Sequence, residues 1–188
     1  MRKVILEELK KLALNSKNSL WSKAKSVGNG VKLYLHWTAG RYTQFFDDYH
    51  ISIDGNGNIY VSTDDFAEVK SHTWRRNTGT IGIALNCAYN ATSKNLGKYA
   101  PTDLQIEATA QAIAVLTNTL GLSINITNVM THAEAADNMD GVYAHDPYGP
   151  KNGCERWDLA ILKTGDPWMS GGNTLRGKAI YYQQHGVQ

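Results

Sequence analysis

In the stretch VKLYLHW, apolar Val31, Leu33 and Leu35 alternate with Lys32, Tyr34 and His36. A strand of period two therefore sets the aliphatic side chains on one face and His36 on the other. Before it, Ile5, Leu9 and Leu12 recur at helical spacing among Glu and Lys, which predicts a helix from about residue 3 to the mid-twenties, broken near Asn15 to Ser19. SVGNGVK supplies the turn between them. YHISIDGNGNIYVS reads as two strands joined at DGNG, a strong hairpin signal. TIGIALNCAY, rich in Ile and Leu, reads as a buried central strand.

A second helix follows in APTDLQIEATAQAIAVLTNTLGLSI, where Thr102 and Gln105 form a capping box and Gly121 is the stop signal. INITNVMTH predicts a short strand that delivers His132 to its C-terminal end. The polar loop after it, rich in Asp, Gly and Pro, runs for about 20 residues, a length usually tied to function. CERWDLAIL then opens a short helix, and the remainder is a glycine-punctuated tail.

Strands interleaved with helices predict an α/β fold: a single domain with a mixed central β-sheet flanked by helices. The chain divides into an N-terminal helical segment (1–28), a main domain (29–165) and a C-terminal tail (166–188). Its 188 residues are enough for one full core. With 42% hydrophobic and 19% charged residues it lacks the disordered signature, and it has no apolar run long enough to span a bilayer. A net charge of +2 suits an anionic polymer such as a cell wall but falls short of a nucleic-acid footprint. The amino terminus has no continuous apolar stretch or small-residue cleavage site, so the expectation is synthesis in the cytoplasm without a signal peptide.

His36 and His132 both stand at predicted strand ends, and neutral imidazoles are good zinc ligands. A catalytic zinc takes three protein ligands, and Cys154, Asp146 and His145 are the candidates for the third. Taken singly, each has an ordinary role: a hydrogen-bonded histidine, an inert thiol, or a turn-forming aspartate such as Asp137 or Asp140. Cys87 sits mid-strand and reads as core. The chain holds no PCxxC pair, which a zinc deaminase would want.

LHWTAG, DYHISIDGNGNIY, NTGTIGIAL, MTHAEAAD and CERWDL, in this order, resemble the zinc-dependent N-acetylmuramoyl-L-alanine amidases, related to phage lysozyme-type amidases and peptidoglycan recognition proteins. The resemblance covers roughly residues 31–163. It implies the amidase fold for 29–165, Zn2+ as cofactor, and His36, His132 and Cys154 as ligands, with Asp146 the alternative third. It makes Tyr49 the group beside the metal, and gives Glu134 or Lys151 the remaining acid–base work; Lys151 stands one residue from the position at which some phage members carry a lysine. Other members have a glutamate in the central strand, where this chain has Ala84.

The implied reaction is hydrolysis of the amide between N-acetylmuramic acid and L-alanine in peptidoglycan, as in an endolysin released by lysis or exported without a signal peptide. The alternative is a non-catalytic peptidoglycan-binding module of the same fold. Trp37, His72, Trp74, Arg76 and Asn77 are candidate substrate contacts, since aromatic faces stack on sugars and guanidinium groups pair with carboxylates. No nucleic acid, no membrane insertion and a monomer complete the expectation.

Overall fold

The computed structural model describes residues 1–141, 146, 148–151 and 156–188. The elements run β1 (Arg2–Val4), α1 (Leu6–Ser26), β2 (Lys32–Trp37), β3 (Ile51–Ile53), β4 (Ile59–Val61), β5 (Thr80–Leu85), α2 (Asp103–Leu120), β6 (Val129–Thr131), α3 (His132–Ala136) and α4 (Gly171–His185). The six strands form one mixed sheet in the order β1-β4-β3-β5-β2-β6. β2 pairs in parallel with both β5 and β6. No described helix is long and apolar enough to cross a membrane.

The hairpin forms at DGNG, where Asp54 Oδ1 accepts from the backbone N–H groups of Asn56 and Asn58 at 2.9 Å and Gly57 takes a positive φ of 78°. α2 is capped as its sequence predicts: the Thr102 hydroxyl and the Gln105 side chain form the box, and Gly121 ends the helix at φ 76°. Leu33, Leu35, Ile81 and Ile83 join Leu9, Leu20, Ile106, Ile113 and Leu175 in one core, so α1, α2 and α4 share the aliphatic side of the sheet. All six residues of β2 are buried, because loops and α3 cover its second face as well. Tyr34, Met130 and Ala135 form a small separate cluster.

Four elements differ from the sequence reading. α1 is unbroken through Asn15 to Ser19, since Ser16 lies on its buried face and accepts the Phe66 N–H at 2.9 Å. β1 precedes it, paired with β4. In CERWDLAIL the described residues 156–162 make turns where a helix was expected, with Leu159 at φ 58° interrupting any helical path. The tail instead carries a helix, α4: its first two glycines face close neighbours, and a Cβ on Gly171 would stand 2.0 Å from the Leu159 carbonyl oxygen. α1 is seated just as closely, since a Cβ on Gly79 would stand 2.4 Å from the Ala24 backbone.

Candidate metal centre and cavity

The topology explains why two histidines separated by 96 positions meet. Leu35 is registered with Thr131 across the parallel β2–β6 pair, so the next residue of each strand stands at the same sheet edge. Those residues are His36 and His132, and their Nδ1 atoms are 3.1 Å apart. Asp158, on the turn after the long loop, brings Oδ2 to 3.5 Å from His36 Nδ1 and 3.4 Å from His132 Nδ1. Among the described residues these three form the one group able to hold a metal ion, and all are buried.

The triangle has the dimensions of a metal site. Ligand atoms around a tetrahedral zinc with bonds of about 2.0–2.1 Å stand about 3.3 Å from one another, and the three observed separations of 3.1, 3.4 and 3.5 Å bracket that value. The protonation states fit too. Burial holds the His36 imidazole down to about 4 against the opposing pull of Asp158, so it is neutral with a lone pair to offer. For Asp158 burial acts upward, but the two histidines outweigh it and keep the carboxyl ionised, well below its ordinary range. Behind the ligands, His36 Nε2 is 3.2 Å from Thr73 Oγ1. Donation from Nε2–H to that hydroxyl leaves Nδ1 free for metal, the orienting role usual for a group behind a metal-bound histidine.

A cavity of about 360 Å³ opens onto this group, lined by His132, Asp158, Tyr49, His72, Trp37 and Arg156 among others. The Tyr49 ring lies 5.1 Å from that of His36, and burial raises its phenol, which stays protonated. His72 is packed edge-on to His36 at 5.3 Å; its Nδ1 meets Thr73 Oγ1 at 2.8 Å and burial holds it neutral. Trp37 is buried edge-on against Trp157. An adjoining cavity of about 330 Å³ shares His72, His132 and Arg156 and adds Trp74 and Tyr148.

Several expected roles are revised. Glu134 does not line the cavity on the metal group. Its carboxylate is 2% exposed, accepts two bonds from Arg176 at 2.7 and 2.8 Å, and accepts the Thr131 N–H at 2.9 Å. It is the N3 residue of a capping box that starts α3, so the expectation of a general base gives way to a structural one. Thr-x-x-Glu in THAE is the sequence signal that announces this helix.

Arg76 is buried with its guanidinium bonded to Asp140 and Asn138, so it ties two loops together instead of reaching for a substrate carboxylate. Asp140, read as a turn former, is the buried anion of that pair and also faces Lys32. Asn77 Oδ1 accepts the backbone N–H groups of His72 and Thr73, which makes it a brace for the site loop. Lys151 is exposed and its backbone N–H is held by Asp137; it does not line the cavity. Asp146 turns the chain by accepting the Tyr148 N–H and sits in the adjoining cavity. Cys154 and His145 lie outside the described residues. The sequence singles out neither Asp158, which stands in CERWDL four residues after Cys154, nor Thr73, since a lone Thr in a loop carries no signal of its own.

Residues 27–149 match the N-acetylmuramoyl-L-alanine amidase family, and the chain belongs to that family. Membership gives it an amidase or peptidoglycan-binding role. Among solved structures it is similar to the N-acetylmuramoyl-L-alanine amidase LysC from Clostridium intestinale URNW, at 19% identity over 56% of this chain and 72% of that one, with a TM-score of 0.41. It is also similar to the Drosophila peptidoglycan recognition protein SD, at 17% identity over 55% of this chain and 69% of that one, with a TM-score of 0.41. No curated protein matches it.

Proposed function

We propose that this chain is a zinc-dependent amidase that hydrolyses the bond between N-acetylmuramic acid and the L-alanine of the peptide stem, acting on the bacterial wall as an endolysin does. The observation that carries the reading is the buried triangle of His36, His132 and Asp158 on the cavity wall. These three residues would hold the ion. Zinc, when bound, polarises the scissile carbonyl and lowers the pKa of a water toward about 7.

The protein's own groups do the rest. Asp158 stays anionic and His36 neutral, so the donor set would bring a single carboxylate to a doubly charged cation and leave it strongly electrophilic. Thr73 fixes the His36 ring through Nε2. The protonated Tyr49 hydroxyl donates to the oxygen on which charge develops, an interaction that strengthens toward the transition state. Trp37 and Trp157 add two indole rings to an otherwise largely polar cavity wall.

The test is digestion of purified peptidoglycan with metal content measured on the same preparation. About one zinc per chain and new free L-alanine amino termini, identified by mass spectrometry, support the proposal. A metal-free chain that binds wall fragments and leaves them intact overturns it in favour of a recognition module.

A further inference from the structure

Three tryptophans form a ladder from the cavity to the surface. Trp37 is 5% exposed at the inner end. Trp157, half-buried, meets it edge-on with ring centroids 4.6 Å apart, and both line the cavity that holds Asp158. Trp168 stacks on Trp157 at 5.9 Å with the planes inclined by 25°, and is 43% exposed. This exposed indole is held in place by its turn.

The Asp166 carboxylate accepts the N–H groups of Leu162 and Lys163, and the Ser170 N–H bonds the Pro167 carbonyl. From the far side the Gly171 N–H reaches the Ala160 carbonyl. The Trp168 ring is thus presented on a braced turn. It also lies beyond residues 27–149, the part of the chain matched to the family.

The two ends of the site differ in chemistry. Toward the adjoining cavities the walls carry Arg156 in one and Arg75, set over the Trp74 ring, in the next, where Lys32 and Arg76 are already paired with Asp140. At the other end stand Trp157 and the exposed Trp168 stacked on it, with Asp48 and Thr38 lining the cavity beside Trp157. The scissile amide joins an uncharged sugar to a peptide that carries carboxylates, so the two halves of the substrate match opposite ends. A flat apolar face with polar groups at its edge is what the C–H face and the hydroxyls of a pyranose ring need.

We infer that Trp157 and Trp168 form a glycan subsite, on which an N-acetylated hexose ring of the wall strand stacks while the stem peptide runs toward Trp74 and Arg75. This rests on the amidase reading for the orientation of the substrate, but the stacking itself needs no catalysis.

The experiment uses the whole chain and stem-free glycan strands of alternating N-acetylglucosamine and N-acetylmuramic acid, with tryptophan fluorescence as the binding readout. Trp168→Ala, exposed and outside the metal group, is expected to weaken binding of these strands about tenfold, about 1.4 kcal/mol, while Trp168→Tyr recovers most of it. In digestion of intact peptidoglycan the same variant raises KM and leaves kcat and zinc content unchanged. Strands that bind wild type and Trp168→Ala equally, or that fail to bind wild type at all, overturn the subsite even if the chain cuts the amide. A chain that binds strands through Trp168 and cuts nothing keeps the subsite and removes the amidase reading.

Discussion

Replacing Arg176 by Met tests how far the candidate metal centre depends on a helix that the family match does not reach. The guanidinium is 7% exposed and Glu134 is 2% exposed. It donates to both Glu134 oxygens, to the Val129 carbonyl at 2.9 Å and to Asn173 at 2.7 Å. Met keeps most of the side-chain volume and removes the charge, leaving a carboxylate buried without its cation. Breaking such a pair costs about 3–5 kcal/mol, a large part of the roughly 5–15 kcal/mol that holds a domain together.

The damage should also reach the site, because Glu134 caps the helix whose first residue is His132. Urea unfolding of the metal-free protein is expected to show the full loss, and a chelator competition to show zinc affinity reduced about tenfold or more. Adding Glu134→Gln to Arg176→Met removes the stranded charge and should restore most of the stability. A single variant within about 1 kcal/mol of wild type, or a double variant as unstable as the single one, would refute the claim that the pair is what anchors α3.

Other outcomes follow from the same geometry. Asp158→Asn should drop zinc from near one equivalent to near none by atomic absorption, with Cys154→Ala retaining it; the reverse pattern transfers the third ligand to Cys154. Tyr49→Phe should lower kcat by about 10² with metal content intact, and a variant of unchanged rate removes the hydroxyl from the chemistry.

His50 is buried, accepts the Gly82 N–H at Nδ1, and is pushed down to about 4 from 6.5 by burial. The folded state therefore binds fewer protons than the unfolded one between those values, and stability is present above pH 6.5 and lost as pH falls toward 4. This group alone contributes up to about 3 kcal/mol of that loss, so His50→Gln should flatten the acid limb of a urea-midpoint profile by about one proton. Gly79→Ala, at φ +71° against the Ala24 backbone, should cost about 2 kcal/mol or more. A neutral effect on the urea midpoint would show that α1 can shift away.

The local signals needed only a few residues each. Period-two alternation marked β2 and put His36 on the face away from the aliphatic core. Turn chemistry marked the hairpin, and a cap with a glycine stop delimited α2. For these the free energy is decided within the segment, by side-chain period and backbone hydrogen bonding, so the one-dimensional pattern is sufficient. α4 was hidden for the converse reason. Its glycines read as breakers, yet the first two are required because Leu159 and Glu134 press against Gly171 and Gly172.

By itself the sequence determined the class of sheet, the faces of its strands and the two histidines at their ends. Which groups complete the site was decided in three dimensions. Glu134 follows His132 so closely that it reads as a neighbour in function, but the turn of α3 carries it into the body of the protein against Arg176. Asp158 is 26 positions from His132, and nothing in its local sequence distinguishes it from a solvated carboxylate. It becomes a ligand candidate because β2 and β6 run parallel in register and the turn at Trp157 returns the chain to their ends. Metal sites and buried ion pairs are long-range contacts, and their energies depend on distances and desolvation that only the packed chain sets.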